Sequence, residues 1–221
     1  GTEALAARFA AGSLKHFRLE QRVSGGLLFS AQDRLPCLPY FQNTYLSLAR
    51  YEGIAGMAQA LERAVKDKAM LGQAGRAMAA YGFSTFRVMF SEQNALVGVG
   101  ADKRALLERG IHTAAVERAR PDTELLILTR REGFALVLLR LSRPEGRQEA
   151  LPKGALSPAL ASCMAALGRY GSGGLFLDPF AGSGALGKAR LALGGAERVI
   201  LSDADPEKVA GMRRQFRGTG S

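Results

Sequence analysis

The chain has 221 residues, 47% of them hydrophobic, and carries a formal net charge of +10 from 30 Lys and Arg against 20 Asp and Glu. That length and apolar content exclude a wholly disordered chain and leave room for one large or two small domains. The basic excess favours a polyanionic partner such as nucleic acid, through counterion release and long-range steering. Cys37 and Cys163 are far apart and share no metal-ligand spacing with His16 or His112, so neither a disulfide framework nor a metal site is expected. No apolar run approaches the roughly 18 residues of a membrane span, and nothing at the N-terminus resembles a signal peptide. A soluble, cytoplasmic protein with reduced thiols is therefore expected, its oligomeric state unknown.

In chain order, Thr2 to Ala11 predicts a short helix, with Thr2 as its cap and Gly12 as its end. Residues 16–23 roughly alternate apolar and polar, Gly25-Gly26 turns the chain, and Leu27 to Ser30 follows, which predicts a β-hairpin. Pro36 to Tyr40 is a proline-punctuated connector. Thr44 to Arg50 has strand character. Residues 55–81 have helical spacing, with Met57, Leu61, Val65, Met70 and Leu71 as the apolar set, and the methionines are read as core filler. Residues 85–90 predict a strand, and 103–111 a basic helix carrying Lys103, Arg104 and Arg109. His112 is read as a surface or C-cap histidine. Past the break at Pro121-Asp122, residues 124–129 and 134–139 predict two strands across Arg130 to Gly133, apolar enough for burial on both faces. Arg130 and Arg131 are read as a solvated turn, with phosphate contact the alternative.

Residues 44–142 thus run strand, helices, strand, helix, strand, strand. That order resembles the THUMP domain, an RNA-binding module that precedes the methyltransferase domain in several tRNA- and rRNA-modifying enzymes. The likeness rests on Thr85-Phe86-Arg87-Val88, the helix over 103–111, Pro121-Asp122-Thr123-Glu124-Leu125 and the closing strand 134–139. In that family a small ferredoxin-like domain comes before THUMP, and residues 1–43 resemble one. Residues 143–152, charged and turn-rich, predict a linker. Lys153 to Pro158 resembles the approach to the methyltransferase domain in the same family. There Ser157 caps and Pro158 opens a helix running to about Leu167.

The stretch that organises the rest is Leu175-Phe176-Leu177-Asp178-Pro179-Phe180-Ala181-Gly182-Ser183-Gly184-Ala185-Leu186. An apolar run ending in an acid, a glycine turn and a helical segment predict strand, tight turn and helix N-terminus, where unpaired N–H groups meet a ligand. A second apolar run, Arg198 to Ser202, ends at Asp203. A second βαβ strand would place that carboxylate against ribose hydroxyls. The turn is read as departing from the dinucleotide fingerprint at its third glycine, with Lys188 and Ala189 near that place. Pro206 opens a last helix, from Glu207 to Phe216.

The string from Asp178 to Gly184 resembles the first motif of class I S-adenosylmethionine-dependent methyltransferases, in the form common in enzymes that methylate RNA or DNA. The resemblance implies S-adenosyl-L-methionine as cofactor, bound by Asp178, Pro179, Phe180, Ala181, Gly182, Ser183, Gly184 and Asp203. Asp178 would orient the methionine ammonium, and Asp203 would hold the ribose hydroxyls. The expected architecture is an α+β N-terminal region, ferredoxin-like over 1–43 and THUMP-like over 44–142, followed from 153 to 221 by the start of an α/β Rossmann-like methyltransferase domain. The expected activity is methylation of a base in structured RNA, tRNA guanosine ahead of rRNA. A non-catalytic RNA-binding protein with a vestigial cofactor fold is the alternative, and a nucleotide-dependent oxidoreductase a further one. The Asn/Asp-Pro-Pro-aromatic motif of amino-methylating members is absent, since no Pro-Pro pair occurs. No catalytic residue is therefore assigned, and the chain is expected to be an inactive fragment of a longer enzyme.

Overall fold

The computed structural model describes residues 2–32, 38–142, 155–168, 174–194 and 196–217. They fall into two compact units, one of Asn43–Arg147 and one combining Gly1–Gln42 with Gln148–Ser221. The expected linker, the approach at Lys153-Gly154 and the first two residues of the connector, Pro36 and Cys37, lie outside the described residues.

The chain begins with helix α1 (Glu3–Ser13) and the antiparallel strands β1 (Arg18–Val23) and β2 (Gly26–Ser30). Thr2 occupies the cap position of α1 without a side-chain hydrogen bond, and the helix runs through Gly12 instead of ending there. A glycine inside a helix costs only about 1 kcal/mol relative to alanine, and the helix carries on past it by one residue, to Ser13. The Ser13 hydroxyl donates to the Phe9 carbonyl at 2.9 Å. Val23 pairs with Gly26, so the hairpin loop is Ser24-Gly25, one residue earlier than expected. A small core of Ala10, Leu14 and Leu38 gathers Phe9, Phe17, Phe29, Tyr40 and Phe41, with Phe9 stacked on Tyr40 at 4.9 Å.

The Asn43–Arg147 unit follows as β3 (Tyr45–Glu52), α2 (Met57–Lys66), α3 (Lys68–Tyr81), β4 (Thr85–Glu92), β5 (Ala95–Leu96), α4 (Ala101–Arg109), β6 (Ala115–Val116), β7 (Thr123–Thr129) and β8 (Phe134–Arg140). Its mixed sheet has the order β3-β8-β7-β4-β5, with β6 also on β4; β4 runs parallel to β7 and β6, and the remaining pairs are antiparallel. The helical span over 55–81 is two helices, not one. Asp67 breaks it, and its side chain accepts the Met70 N–H at 2.9 Å, capping α3. Phe86, Val88 and Phe90 of β4 alternate inward against Leu61, Met70, Leu71 and Met78, while Leu125, Ile127, Val137 and Leu139 complete the same core. β8 is buried at every position but Arg140, as its apolar run implied.

The hairpin tip departs from the solvated turn read in the sequence. Arg130 is buried, its guanidinium donating to Asn94 Oδ1 at 2.8 Å and meeting Glu132 at 3.4 Å. Arg131 donates to Gln93 Oε1 at 2.6 Å, so both arginines pin the turn between β4 and β5. A guanidinium can enter a turn when its donors are matched, which residue type alone does not reveal. His112 is exposed just past α4.

The chain then forms α5 (Pro158–Leu167), β9 (Gly174–Asp178), α6 (Ala185–Leu193), β10 (Ala196–Leu201) and α7 (Pro206–Gln215). β9 and β10 are parallel and α6 connects them, making a βαβ unit. Ser157 caps α5 through the Leu160 N–H, and Asp205 caps α7 through the Glu207 N–H at 2.9 Å. α5 and α6 meet over Ala161, Ala165 and Ala189, small side chains that let two helices approach closely. Cys163 is buried in α5, and burial pushes its thiol pKa up. Among the described residues no helix is long and apolar enough to cross a membrane, and no group of three potential ligands could hold a metal.

Candidate functional site

Both strands of the βαβ unit end in carboxylates, Asp178 at the end of β9 and Asp203 two residues beyond β10. Asp178 Oδ1 accepts the Phe180 N–H at 3.1 Å, closing a small turn that carries Pro179 and leaves Phe180 86% exposed. The Ala181 N–H then donates to the Ser202 carbonyl at 2.9 Å, and the Ser202 N–H to the Asp178 carbonyl at 2.9 Å. These bonds hold the two strand ends side by side. Ser183 is exposed, in the turn leading to α6.

Asp203 and the glycine turn come together. Asp203 Oδ2 accepts the Gly182 N–H at 2.8 Å, and Oδ1 accepts the Asp205 N–H at 2.9 Å. Those two N–H groups, Asp205 first, hold the Asp203 pKa below the usual carboxylate value against the opposing effect of burial, with Lys208 assisting. The carboxylate stays ionised at neutral pH, and each oxygen keeps acceptor capacity.

The glycines differ in what they face. Gly182 has φ +56°, and nothing lies within 4 Å of where a Cβ would stand, so a ligand can approach bare backbone there. Gly184 has φ +76°, but a Cβ would fall 2.8 Å from Phe216 Cε2 and 3.3 Å from Met212 Cγ. Its missing side chain makes room for the end of α7. Gly187 corrects the sequence reading outright: Gly182, Gly184 and Gly187 do satisfy G-x-G-x-x-G. A Cβ on Gly187 would meet Leu201 Cδ1 at 2.6 Å, so the third glycine lets α6 close onto β10.

A concavity of about 510 Å³ opens at Asp203 and Ala204 and continues along α7 past Pro206 and Val209 to Arg213, Arg214 and Arg217. Asp178 and Gly182 lie outside its lining, so it adjoins the glycine turn at Asp203 alone. Sequence reasoning passed over these arginines, although three within five positions at a helix end were visible in the order of residues.

The arrangement brings open backbone and two carboxylates to one end of the βαβ unit. Bare backbone at Gly182 admits close approach, Asp203 offers acceptors for vicinal hydroxyls, and Asp178 offers an anion for an ammonium group.

No protein-family profile matches the chain, and no curated protein matches it. Solved structures do. TrmN from Thermus thermophilus superposes with a TM-score of 0.67 at 22% identity, covering 100% of this chain and 68% of that one. A possible methylase from Clostridium difficile 630 gives 0.56 at 11% identity, covering 87% of this chain. A predicted N6-adenine-specific DNA methylase from Listeria monocytogenes gives 0.55 at 12% identity, covering 88%. What these likenesses establish is a shared fold. The chain spans 53% of the length of each of the last two.

Proposed function

We propose that this chain is the RNA-binding and cofactor-cradling part of an S-adenosyl-L-methionine-dependent RNA methyltransferase, with a base of structured RNA as substrate, tRNA guanosine ahead of rRNA. The carrying observation is the 2.8 Å bond from Gly182 N–H to Asp203 at the ends of two parallel strands, inside the string from Asp178 to Gly184. Two fold neighbours, a possible methylase and a predicted DNA methylase, support the same reading. In it residues 1–43 are ferredoxin-like, 44–142 the THUMP-like RNA-binding domain, 143–152 a linker and 153–221 the first part of the methyltransferase domain. The protein works in the cytoplasm.

The bound cofactor would supply an electrophilic methyl group on a sulfonium centre. Gly182 would give it room, Asp203 would accept hydrogen bonds from its ribose hydroxyls, and Asp178 would pair with its ammonium. Pro179, Phe180, Ala181, Ser183 and Gly184 shape the turn that presents these groups. Catalysis in such a site rests on positioning and desolvation, and no residue described here is assigned to the transfer itself.

Gly187 gives the dinucleotide-binding reading a specific observation, because the complete glycine pattern also serves NAD sites. Titration calorimetry with S-adenosyl-L-methionine, S-adenosylhomocysteine and NAD separates the two. Micromolar binding of the first two without NAD is the expected result. NAD binding alone assigns the turn to a nucleotide-dependent oxidoreductase, and no binding to a folded chain leaves an RNA-binding module.

A further inference from the structure

We propose that the concavity along α7 is a phosphodiester-binding surface, on which Arg213, Arg214 and Arg217 hold the backbone of an RNA strand beside Asp203. This rests on the methyltransferase reading for the identity of the polyanion as RNA, and on the geometry for its placement. The concavity has a volume of about 510 Å³ and an apolar floor of Pro206 and Val209, and three guanidinium groups line its far end. None of the three has an ion-pair partner among the described residues, so no carboxylate competes for their guanidinium groups. The single acid in the lining, Asp203, has one backbone N–H on each oxygen, which reduces its repulsion of an incoming phosphate. Guanidinium groups fork onto phosphate oxygens, and clustering them lets consecutive phosphates be met without rearranging the helix. The apolar floor suits a sugar or the face of a base. Arg213 and Arg214, in the last turn of α7, also offset the helix dipole, but that effect would show in thermal stability and not in RNA affinity.

The test uses the 221-residue chain without cofactor and a fluorescein-labelled unmodified tRNA transcript, with anisotropy followed from 50 to 200 mM KCl. Replacing Arg213→Gln, Arg214→Gln and Arg217→Gln together is expected to weaken binding at least tenfold. It should also lower the log–log salt slope by about 2, since each phosphate contact contributes about 0.7 to 0.9. A charge-matched variant outside residues 44–142, Arg8→Gln, Arg18→Gln and Arg22→Gln, all exposed, should change affinity less than threefold. Equal losses in both variants, or no loss in the first, overturn the proposal. A footprint on the unmutated chain makes the test independent of variant folding: saturating tRNA should protect Arg213, Arg214 and Arg217 from phenylglyoxal, and undiminished labelling overturns the proposal. Failure here leaves the cofactor reading standing on its own calorimetry, and absence of cofactor binding leaves this result intact.

Discussion

The Asp203 carboxylate and the Gly182 backbone, 21 residues apart in the chain, are joined by a 2.8 Å hydrogen bond that ties the end of one strand to the turn after its neighbour. The same carboxylate takes the Asp205 N–H, so it organises the turn and the start of α7 together.

Replacing Asp203 by Ala removes those bonds and the proposed hydroxyl contacts. A hydrogen bond to a charged group contributes about 1.5–3 kcal/mol, which corresponds to roughly 10- to 150-fold in affinity. S-adenosylhomocysteine binding by calorimetry should weaken by that factor in Asp203→Ala and by less in Asp203→Asn, which keeps an acceptor oxygen. Undiminished binding in both would remove Asp203 from the site.

The two turn glycines should separate stability from binding. Both have positive φ, where a Cβ costs about 1–2 kcal/mol. At Gly184 the added methyl also meets Phe216 at 2.8 Å, whereas at Gly182 it enters open space. Gly184→Ala should therefore lower Tm more than Gly182→Ala, by several degrees, given about 2–4 °C per kcal/mol for a chain of this size. Gly182→Ala should weaken S-adenosylhomocysteine more than its Tm change suggests, because its methyl occupies the ligand's approach. Differential scanning fluorimetry and calorimetry on the two variants check both orders.

Acid sensitivity should trace in part to Asp122. Its carboxylate accepts the Ser84 hydroxyl at 2.7 Å, the Ser84 N–H at 2.8 Å and the Thr85 N–H at 2.9 Å, while its own N–H donates to Thr85 Oγ1. These bonds, that of the Ser84 hydroxyl first, lower its pKa from 3.8 to about 2. A depressed folded pKa means the contribution is complete above 3.8 and is lost as pH falls from there toward about 2. In Asp122→Asn, stability measured by denaturant titration should be lower at pH 6 and should fall less steeply over that acid range. An unchanged acid limb would show that other carboxylates govern it.

Several of these relationships were legible in the sequence because they follow from local chemistry. The strand–turn–helix order around Gly182 and the place of Asp203 follow from apolar runs, glycines and one spacing. The cap at Ser157 precedes a proline, and prolines at 158 and 206 fix both helix starts. The break at Asp67 was hidden, since the apolar spacing continues through it and only its bond to Met70 makes it a cap. The burial of Arg130 was equally hidden, because its partner Asn94 lies 36 residues away. β5 and β6, two residues each, exist only as partners of β4 and carry no periodicity of their own. Gly187 was in plain view, and its function became clear only when Leu201 was found against it.

Glu124 should be the most sensitive polar position in the Asn43–Arg147 unit. It is 7% exposed on β7 and sits between Arg87 and Arg140, which donate to its two oxygens, Arg140 at 2.8 Å. Burial pushes its pKa up, but the bonds from the two arginines outweigh that and hold it below the usual value. Arg140 also reaches Asn43 Oδ1 and, at 3.2 Å, Ser142 Oγ, so one carboxylate anchors the strand ends where this unit begins and closes. Removing one partner of a buried ion pair costs about 3–5 kcal/mol, because the remaining charge is left uncompensated. Glu124→Ala strands two guanidinium groups and should reach that range in urea denaturation. Glu124→Gln keeps an acceptor and the side-chain volume and should cost about 1–3 kcal/mol, near the value for an imperfectly matched charged hydrogen bond. A loss below about 1 kcal/mol in Glu124→Ala, the size of an exposed pair, would mean that water already screens the cluster.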